Sequence, residues 1–374
     1  MKRILALLLC ALLACTAASC SPDKTESAAA NTTSASETPV ETNAPAAQIF
    51  GATDDIKAAL SGLAEMDFGG VLYAEKDGET VASYANGTLS DTTAITLDTP
   101  LPVGSVSKQF CAAAIMLLQE QGKLSVQDTL DKYFPEYAQG AGITLHNLLS
   151  MRSGIVNFDE NTPTNIISMN STDRENTDAI LKWLFAQPLR FDPDEKFEYS
   201  NFNYLLLGNI VEQASGERYE DFLRGHFFSP LGMSHTGFTD EIPGAPAWAK
   251  GFSCEANELT PGIEPGAAKG AGDIISNAAD MTKWLNALPS GKVISQESWR
   301  AMTTDYTGSA THYGYGLYLE FADGVGHFGN IGHFNSADFL KEDAHFTLFM
   351  VTNNTSTSSL TNQFFTLAGT LVNE

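Results

Sequence analysis

The residues that decide the fold lie at positions 104–118, which read GSVSKQFCAAAIMLL. Ser105 and Lys108 stand three residues apart and an apolar run follows at once, so we predict a helix from Lys108 to Gln121, closed by Gly122. Positions three apart share one face of a helix. The serine would therefore lie at the helix N-terminus, with the lysine facing the same cleft. A partly desolvated lysine can take the serine proton, and the helix dipole favours the oxyanion formed on attack.

The spacing of this motif has little specificity on its own. Ser21 and Lys24 show the same spacing in a segment with no expected structure. Taken alone, Ser105 and Lys108 fit a helix-capping serine beside a solvated lysine as well as a nucleophile beside its base. The catalytic interpretation is favoured by the position of the motif between a strand-rich segment and a buried helix.

A second candidate motif is Tyr199 with Asn201, just before a predicted helix over 204–214. A phenol near a cationic lysine can pass protons to a leaving group, and the Asn amide can orient the lysine or a substrate amide. The same spacing recurs at Tyr84 and Asn86. A buried loop tyrosine with one hydrogen bond is therefore the alternative.

A third candidate motif, His327-Phe328-Gly329, is expected on a strand after a hairpin turn. The glycine would let a substrate backbone lie against the strand edge, and the N–H of Asn330 could donate to an oxyanion. His327 could polarise a substrate or donate a proton. The alternative is an ordinary strand histidine.

The motifs stand in a chain whose strands are grouped at its two ends. We predict a β-hairpin over 68–90 turning at Asp77-Gly78, then mainly helices from 105 to about 300, one of them over 178–187. Later strands are predicted at 313–321, 326–328, 337–340 and 345–352, and a final helix at 358–372. This pattern predicts an α+β fold with an antiparallel sheet from both chain ends, flanked by helices, and an all-helical lobe from the middle. The domain would span 50–374, with a sheet lobe at about 50–104 and 270–374, a helical lobe at about 105–269 and a cleft between them.

The three motifs occur in the order in which serine β-lactamases and penicillin-binding proteins carry them. Other stretches are similar to the same family, at 120–125, 143–149, 153–154, 230–233 and 326–330. The chain resembles this family over about residues 55–370, and most nearly class C β-lactamases, D-alanyl-D-alanine carboxypeptidases and related esterases. The resemblance implies a β-lactamase/transpeptidase-like fold and acyl transfer through a serine ester, with no metal or cofactor.

The resemblance also implies catalytic roles. Ser105 would be the acylated nucleophile, Lys108 its proton acceptor and Tyr199 the acid and base for the leaving group. Asn201 would contact Lys108 and the substrate amide. The sequence has no Glu-x-x-Leu-Asn run, which carries the deacylating glutamate of class A enzymes, so deacylation would use Tyr199 and Lys108 with water.

The third motif departs from the pattern of many family members. By the resemblance, His327, Gly329 and Asn330 would bind substrate, and the N–H groups of Asn330 and Ser105 would form the oxyanion hole. Many relatives carry Lys-Thr-Gly here, and the cation and hydroxyl hold a substrate carboxylate. Members with His-Thr-Gly tolerate a histidine in place of the lysine, as at His327, so the departure lies at Phe328. Phe328 cannot supply that hydroxyl, and losing such a bond would cost about 1.5–3 kcal/mol of binding. This weighs against an efficient β-lactamase and fits a peptidase or esterase.

These features predict an exported serine hydrolase acting on amide or ester bonds. β-Lactamase, D-alanyl-D-alanine carboxypeptidase and esterase remain open as its class, because the motifs define the acylation machinery better than the pocket. A non-hydrolytic penicillin-binding sensor or envelope interaction module is the alternative function. The expected partners are a small-molecule or peptidoglycan-peptide substrate and, through a lipid anchor only, the membrane; we expect a monomer.

The amino-acid composition narrows the possible functional classes of the protein. The 374 residues include 21 Lys and Arg against 45 Asp and Glu, a formal charge of −24. Nucleic-acid binding needs clustered cations, so no nucleic-acid partner is expected. Hydrophobic residues make up 43% and aromatics 10% of the chain, enough for a buried core, which excludes wholesale disorder.

Residues 1–20 predict export. Two basic residues follow Met1, and an apolar run of about ten residues comes next, which is too short to span a bilayer. Small residues and Cys20 complete the segment. This resembles a bacterial lipoprotein signal with Cys20 as the lipidated residue. Cys15 satisfies the same pattern, and an ordinary secretory signal is the alternative. Residues 21–49, rich in Ser, Thr, Ala and Pro, are expected to form a disordered tether to an extracytoplasmic, membrane-anchored domain.

Two of the five cysteines lie in the predicted domain, Cys111 and Cys254. Cys111 falls in the apolar helix, so a buried free thiol is expected, with a disulfide to Cys254 as the alternative. No Cys and His spacing suggests a zinc site.

Overall fold

A computed structural model describes residues 50–51, 53–65, 68–88, 94–158, 166, 172–238, 267–308, 311–321, 323–331, 334–353 and 357–373. The predicted signal, the tether and Cys254 lie outside these residues. No helix in the described part of the chain is both long and apolar enough to cross a membrane.

The strands form two antiparallel sheets. The strands of the main sheet are β1 Phe50–Gly51, β2 Gly70–Lys76, β3 Glu79–Asn86, β7 Tyr318–Phe321, β8 Gly324–Ile331, β9 Phe334–Lys341 and β10 Phe346–Thr352. Their order in space is β1-β3-β2-β10-β9-β8-β7. A smaller sheet, in the order β4-β6-β5, contains β4 Leu101–Pro102, β5 Gly237–Phe238 and β6 Ile274–Ser276. The β2–β10 pair joins the N-terminal hairpin to the C-terminal strands, so the main sheet is assembled from both ends of the chain.

The N-terminal hairpin forms where the sequence predicts it. Asp77 and Gly78 have φ of 54° and 81°. Two consecutive positive φ values are characteristic of the type I′ turn, whose twist matches that of paired strands. Asp323, at the predicted turn before β8, also has a positive φ of 67°. These turns set the register of the strands that they join.

The described residues form ten α-helices, several of which cover the two faces of the main sheet. They are α1 Asp54–Glu65, α2 Lys108–Glu120, α3 Leu145–Leu149, α4 Asp173–Leu184, α5 Asn201–Ser215, α6 Tyr219–Leu223, α7 Ser229–Leu231, α8 Ala278–Ala287, α9 Gln296–Met302 and α10 Thr357–Asn373. Side chains of α1 and α10 pack with alternate residues of β2, β9 and β10 in one hydrophobic core. The other face of the sheet contributes to a larger core that also contains α2, α5 and α8. Because α2 is packed inside the larger core, this packing fixes the position of the nucleophile motif at its start.

Several predicted elements differ in extent from the structure; strands β8 and β9, for example, are longer than predicted. Helix α4 begins at Asp173, before the predicted 178, because Thr172 and Glu175 form a capping box there. Helix α5 begins at Asn201, three residues earlier than predicted. The predicted strand over 313–321 is a strand only from Tyr318, because the preceding segment turns back and Tyr313 forms an isolated bridge with Tyr318.

Candidate active site

Ser105 lies in a 3₁₀ turn, Gly104–Ser107, and α2 begins at Lys108. The turn is tighter than the predicted α-helical start, but it keeps the two side chains together. The Lys108 Nζ atom lies 2.9 Å from Ser105 Oγ. Ser105 is partly exposed and Lys108 is fully buried beneath it. A substrate can therefore reach the hydroxyl while the amine stays out of water.

Two carbonyl oxygens complete the surroundings of the Lys108 amine. Asn201 Oδ1 lies 2.8 Å and the Ala271 backbone oxygen 2.6 Å from Nζ. Both are acceptors only, and a neutral amine has two N–H donors and one lone pair. When the two N–H groups point to these oxygens, the lone pair is left for the proton of Ser105. The geometry is that of a base aimed at a hydroxyl.

The pKa of the Lys108 amine fits this role. Burial lowers the pKa of Lys108 to about 7, although the nearby Asp273 carboxylate acts in the opposite direction. An ordinary lysine has a pKa of about 10.4 and is almost entirely protonated at neutral pH. With the lowered pKa, a substantial fraction of Lys108 is neutral near pH 7 and able to accept a proton.

Sequence reasoning missed the contribution of Ala271. Its carbonyl is presented by a loop anchored through Lys269, whose Nζ lies 3.0 Å from Asp173 and 3.1 Å from Glu212. Gly270 has a φ of 69°, and a Cβ there would lie 2.6 Å from a backbone oxygen of α5. A backbone acceptor leaves no side-chain signature; the only signal was the small-residue stretch 267–272 beside a buried lysine.

Hydrogen bonds to residues 156 and 157 hold the second motif in place. Asn157 Oδ1 accepts the backbone N–H of Asn201 at 2.9 Å, and Ser200 Oγ donates to the Val156 carbonyl at 2.7 Å. Tyr199 is half-buried, and its ring centre lies 5.0 Å from Lys108 Nζ. The structure thus brings Tyr199 and Asn201 to the predicted nucleophile and base.

The third motif lies on β8, beside the nucleophile turn, and two glycines allow this approach. A Cβ on Gly329 would lie 2.1 Å from the Val103 carbonyl oxygen, and one on Gly104 would lie 2.9 Å from the Asn330 backbone nitrogen. Ser336 Oγ donates to the same Val103 oxygen at 2.7 Å. The peptide nitrogen of Asn330 therefore lies next to the turn that carries Ser105, where the sequence predicts an oxyanion donor.

The His327 side chain is only 2% exposed, and both of its ring nitrogens have partners inside the protein. Nδ1 lies 2.5 Å from the Phe328 carbonyl oxygen, and Nε2 lies 3.2 Å from the Tyr313 hydroxyl. A carbonyl can only accept, so Nδ1 carries the proton and Nε2 accepts from the hydroxyl. Burial, with a smaller effect of Lys108, lowers the pKa of His327 to about 3. His327 is therefore a neutral imidazole at physiological pH.

Phe328 does not line the cleft, so its ring would not itself contact a substrate. Its ring packs against Phe364 and Phe365 of α10, with ring centres 5.9 and 5.8 Å away. Successive side chains of a strand point to opposite faces of the sheet, so Phe328 belongs to the core behind the site while its two neighbours face α2. The hydroxyl that many relatives carry at this position is still missing, so the expected loss of carboxylate binding stays a prediction.

A buried carboxylate that the sequence analysis did not select supports this strand. Asp338 accepts the backbone N–H of His327 at 2.7 Å and the side-chain amide of Gln109 at 2.6 Å. Trp284 donates in turn to Gln109 Oε1 at 3.2 Å. Burial raises the pKa of Asp338 to about 7. Its signal in the sequence was an aspartate within the predicted strand 337–340, whose other residues are apolar.

Cys111 is a free, buried thiol, as predicted. Burial raises the pKa of this thiol far above its ordinary value. The alternative disulfide involves Cys254, which lies outside the described residues.

Comparisons with known proteins agree with this architecture. Among curated proteins, the chain is 35% identical over 266 residues to the putative penicillin-binding protein PbpX of Bacillus subtilis (strain 168), covering 69% of this chain and 63% of that protein. It is 31% identical over 147 residues to protein flp of Staphylococcus aureus (strain MW2), covering 37% of this chain and 28% of that protein. The chain thus matches less than two thirds of the length of these curated relatives.

Solved structures share the fold. A D-amino acid amidase from Ochrobactrum anthropi SV3, complexed with L-phenylalanine amide, matches with a TM-score of 0.71 and 25% identity over 86% of this chain and 99% of that one. An octameric penicillin-binding protein homologue from Pyrococcus abyssi has a TM-score of 0.71 and 26% identity over 85% and 77% of the two chains. FmtA from Staphylococcus aureus has 20% identity and a TM-score of 0.73 over 87% of this chain and 89% of that one, and it supports the fold alone.

The family model described as Beta-lactamase matches residues 31–366. The chain therefore belongs to the β-lactamase family, with the β-lactamase/transpeptidase-like fold of penicillin-binding proteins and D-amino acid amidase.

Proposed function

We propose that this chain is a serine hydrolase that cleaves amide or ester bonds through an acyl-enzyme on Ser105. The observation that carries the proposal is the position of the buried Lys108 amine, which has two N–H acceptors and lies 2.9 Å from a partly exposed serine hydroxyl. A capping serine beside a solvated lysine, the alternative raised by the sequence, does not account for a fully buried amine.

In the first step, neutral Lys108 takes the proton of Ser105 as Oγ attacks the substrate carbonyl carbon. The carbonyl electron pair moves to oxygen, and the backbone N–H groups of Ser105 and Asn330 are the proposed donors to that oxyanion. Collapse of the intermediate breaks the bond to the leaving group. The proton from Lys108 reaches the leaving nitrogen or oxygen through the Tyr199 hydroxyl, restoring the neutral amine.

In the second step, water attacks the ester carbonyl and the same groups act in reverse. Tyr199 and Lys108 receive the proton of the water, and the proton returns to Ser105 Oγ as the acyl group leaves. Asn201 keeps the amine oriented throughout, since its amide oxygen accepts from Nζ in either protonation state.

The names of the relatives suggest substrate classes for this chemistry. The proposal covers D-amino acid amides, D-alanyl peptides of peptidoglycan, β-lactams and simple esters. The chain would work on them as a monomer outside the cytoplasm, held to the membrane by a lipid on Cys20 or Cys15. The support for this location is the signal-like sequence at residues 1–20 and the polar stretch that follows it.

The test is the intact mass of the protein over time after mixing with a penicillin or a p-nitrophenyl ester. We expect an adduct of one acyl group that is lost in Ser105→Ala. Ser290→Ala, which changes an exposed serine that donates to a backbone carbonyl three residues earlier, is the control and should form the adduct. An adduct that persists in Ser105→Ala would refute the assignment. One acylation event without turnover on any ester would instead support the sensor function.

A further inference from the structure

The third motif bears on the charge of the substrate, and the inference drawn from it rests on the proposed function. In many members of the family, a lysine at the first position of this motif holds a substrate carboxylate, and other members carry a histidine there. His327 occupies that position. Whether it can act as a cation is decided by its contacts rather than by its identity.

Both ring nitrogens of His327 are committed within the protein. The Nδ1 proton points to the Phe328 carbonyl at 2.5 Å, and the Nε2 lone pair receives the Tyr313 hydroxyl at 3.2 Å. A carboxylate needs a donor, and no ring N–H of this tautomer is left to supply one. A proton added to Nε2 would make this nitrogen a donor to the Tyr313 hydroxyl oxygen. It would also place a cationic imidazolium near the Lys108 amine.

Aromatic side chains surround the imidazole. The ring centres of Tyr318, Tyr313 and Tyr199 lie 5.0, 6.0 and 6.1 Å from that of His327. Tyr313 is itself fully buried and also packs against Phe197 at 5.5 Å. Such an enclosure favours an uncharged ring, in agreement with the lowered pKa of His327.

The cations on the segments leading to Tyr199 are paired with carboxylates. Arg190 forms an ion pair with Glu198, whose other oxygen lies 3.6 Å from Lys196. Arg152 lies 3.0 Å from Asp194. Three cations thus share two carboxylates, so most of their charge is already compensated within the protein.

The segments of the domain outside the described residues add little positive charge. Between residues 50 and 374, the segments outside the described residues contain one lysine, Lys250, one histidine, His333, and no arginine. The chain as a whole carries a formal charge of −24. An anionic substrate would thus meet an unfavourable overall field.

We propose that this site selects substrates whose leaving group carries no carboxylate, namely amino acid amides, amide-capped peptides and neutral esters. A free C-terminal carboxylate, or the carboxylate of a penicillin, would have no charged donor from the third motif and would lose binding in both ground and transition states. A bond to a charged group contributes roughly 10- to 150-fold in binding, so the discrimination should be about 10-fold or more in kcat/KM.

The test uses two substrates that differ only in this charge, acetyl-D-Ala-D-Ala and its C-terminal carboxamide. We measure kcat/KM for release of D-alanine and of D-alaninamide by the wild-type protein. The carboxamide should exceed the free acid by about 10-fold or more. Equal values, or a preference for the free acid, would overturn the inference. The acetyl esters of 4-hydroxybenzamide and 4-hydroxybenzoate form a second matched pair, which decides the question if neither peptide is cleaved.

A pH series separates a neutral His327 from a titrating one. The titratable groups that face the imidazole are Lys108, Tyr199, Tyr313, Tyr318 and Asp338. Since both substrates of a pair need the same neutral Lys108, its titration cancels in their ratio. Asp338, whose pKa is raised to about 7 by burial, titrates in the same range, so the series is measured with Asp338→Asn as well as with the wild type. In the variant the ratio should stay constant from pH 8 to pH 5.5. A rise in the relative rate of the free acid below pH 6.5 in Asp338→Asn would show that His327 becomes a cation in this range and refute the inference.

Failure of the proposed function gives a different result. If p-nitrophenyl acetate is not hydrolysed, or is hydrolysed equally by Ser105→Ala, the acyl-enzyme mechanism is wrong and the inference falls with it. If ester hydrolysis depends on Ser105 while free acids are preferred, the mechanism stands and only the inference is wrong.

Discussion

The contact between Asn201 and Lys108 predicts how the activity responds to pH. Asn201 Oδ1 lies 2.8 Å from Lys108 Nζ, and Asn201→Ala removes this acceptor. A hydrogen bond to the ammonium form contributes about 1.5–3 kcal/mol and one to the neutral amine about 0.5–1.5 kcal/mol. The difference, about 1–1.5 kcal/mol, corresponds to about one pKa unit at 1.36 kcal/mol per unit. The pKa of Lys108, already lowered to about 7 by burial, should therefore fall by about one further unit in this variant.

The direction of the change in activity follows from which form is active. Only neutral Lys108 can take the serine proton, so kcat/KM rises with pH through the pKa of Lys108. In Asn201→Ala the acid limb should move to lower pH by about one unit, while the plateau falls because the amine is less well oriented. Asn201→Asp should do the opposite. An ionised carboxylate beside the ammonium raises its pKa by about 1–3 units, so the acid limb moves to higher pH.

The assay is kcat/KM for a p-nitrophenyl ester from pH 5 to pH 9 at constant ionic strength. Asn209→Ala is the matched control, since Asn209 lies on the same helix and its amide donates to the Leu205 carbonyl at 2.7 Å. Its acid limb should coincide with that of the wild type. If the Ala and Asp variants of Asn201 shift the limb in the same direction, or not at all, then Lys108 is not the titrating base or Asn201 does not contact it.

Two other side chains give predictions that separate stability from catalysis. Phe328→Ala should destabilise the fold by about 3–5 kcal/mol, measured by urea unfolding, because it empties a site against α10, and the midpoint of the acid limb should not move. A shifted limb would indicate that Phe328 faces the cleft after all. The Cys111 thiol, buried and with a raised pKa, should stay unmodified by maleimide in the native protein and react in urea. Peptide mapping that finds native labelling at Cys111 would contradict its burial.

The local part of the site could be predicted from sequence because it depends on short spacings. Ser105 and Lys108 meet since three residues of a helical turn separate them, and the type I′ hairpin follows from an Asp-Gly pair. The contact between Lys108 and Asn201 joins residues 93 positions apart, and only the resemblance to a family indicated it. The acceptor at Ala271 is a backbone carbonyl, which any residue type would supply, so no pattern of side chains could reveal it.

The third motif shows a different limit. The period of two along a strand places Phe328 on the face opposite His327, and this was readable from sequence once the strand was assigned. Because residues 327–329 were considered together as one substrate-binding motif, the opposite orientation of Phe328 was not predicted. The neutral state of His327 could not be predicted, because it depends on Tyr313 and Tyr318. Both were expected on one straight strand, and the chain turns back between them.

The pairing of β2 with β10 also determines when in folding the site can exist. Gly70 pairs with Thr352, a partner about 280 residues later in the chain, and closing so long a loop costs about 5 kcal/mol of chain entropy. Strands β8, β9 and β10 pair with one another locally, so the edge that approaches Ser105 belongs to a unit made entirely from the last part of the chain. Contacts so distant in sequence make folding slow. A partly synthesised chain would carry its nucleophile and its lysine long before it had an active site, and its reactive residues would stay without function until the last strands docked.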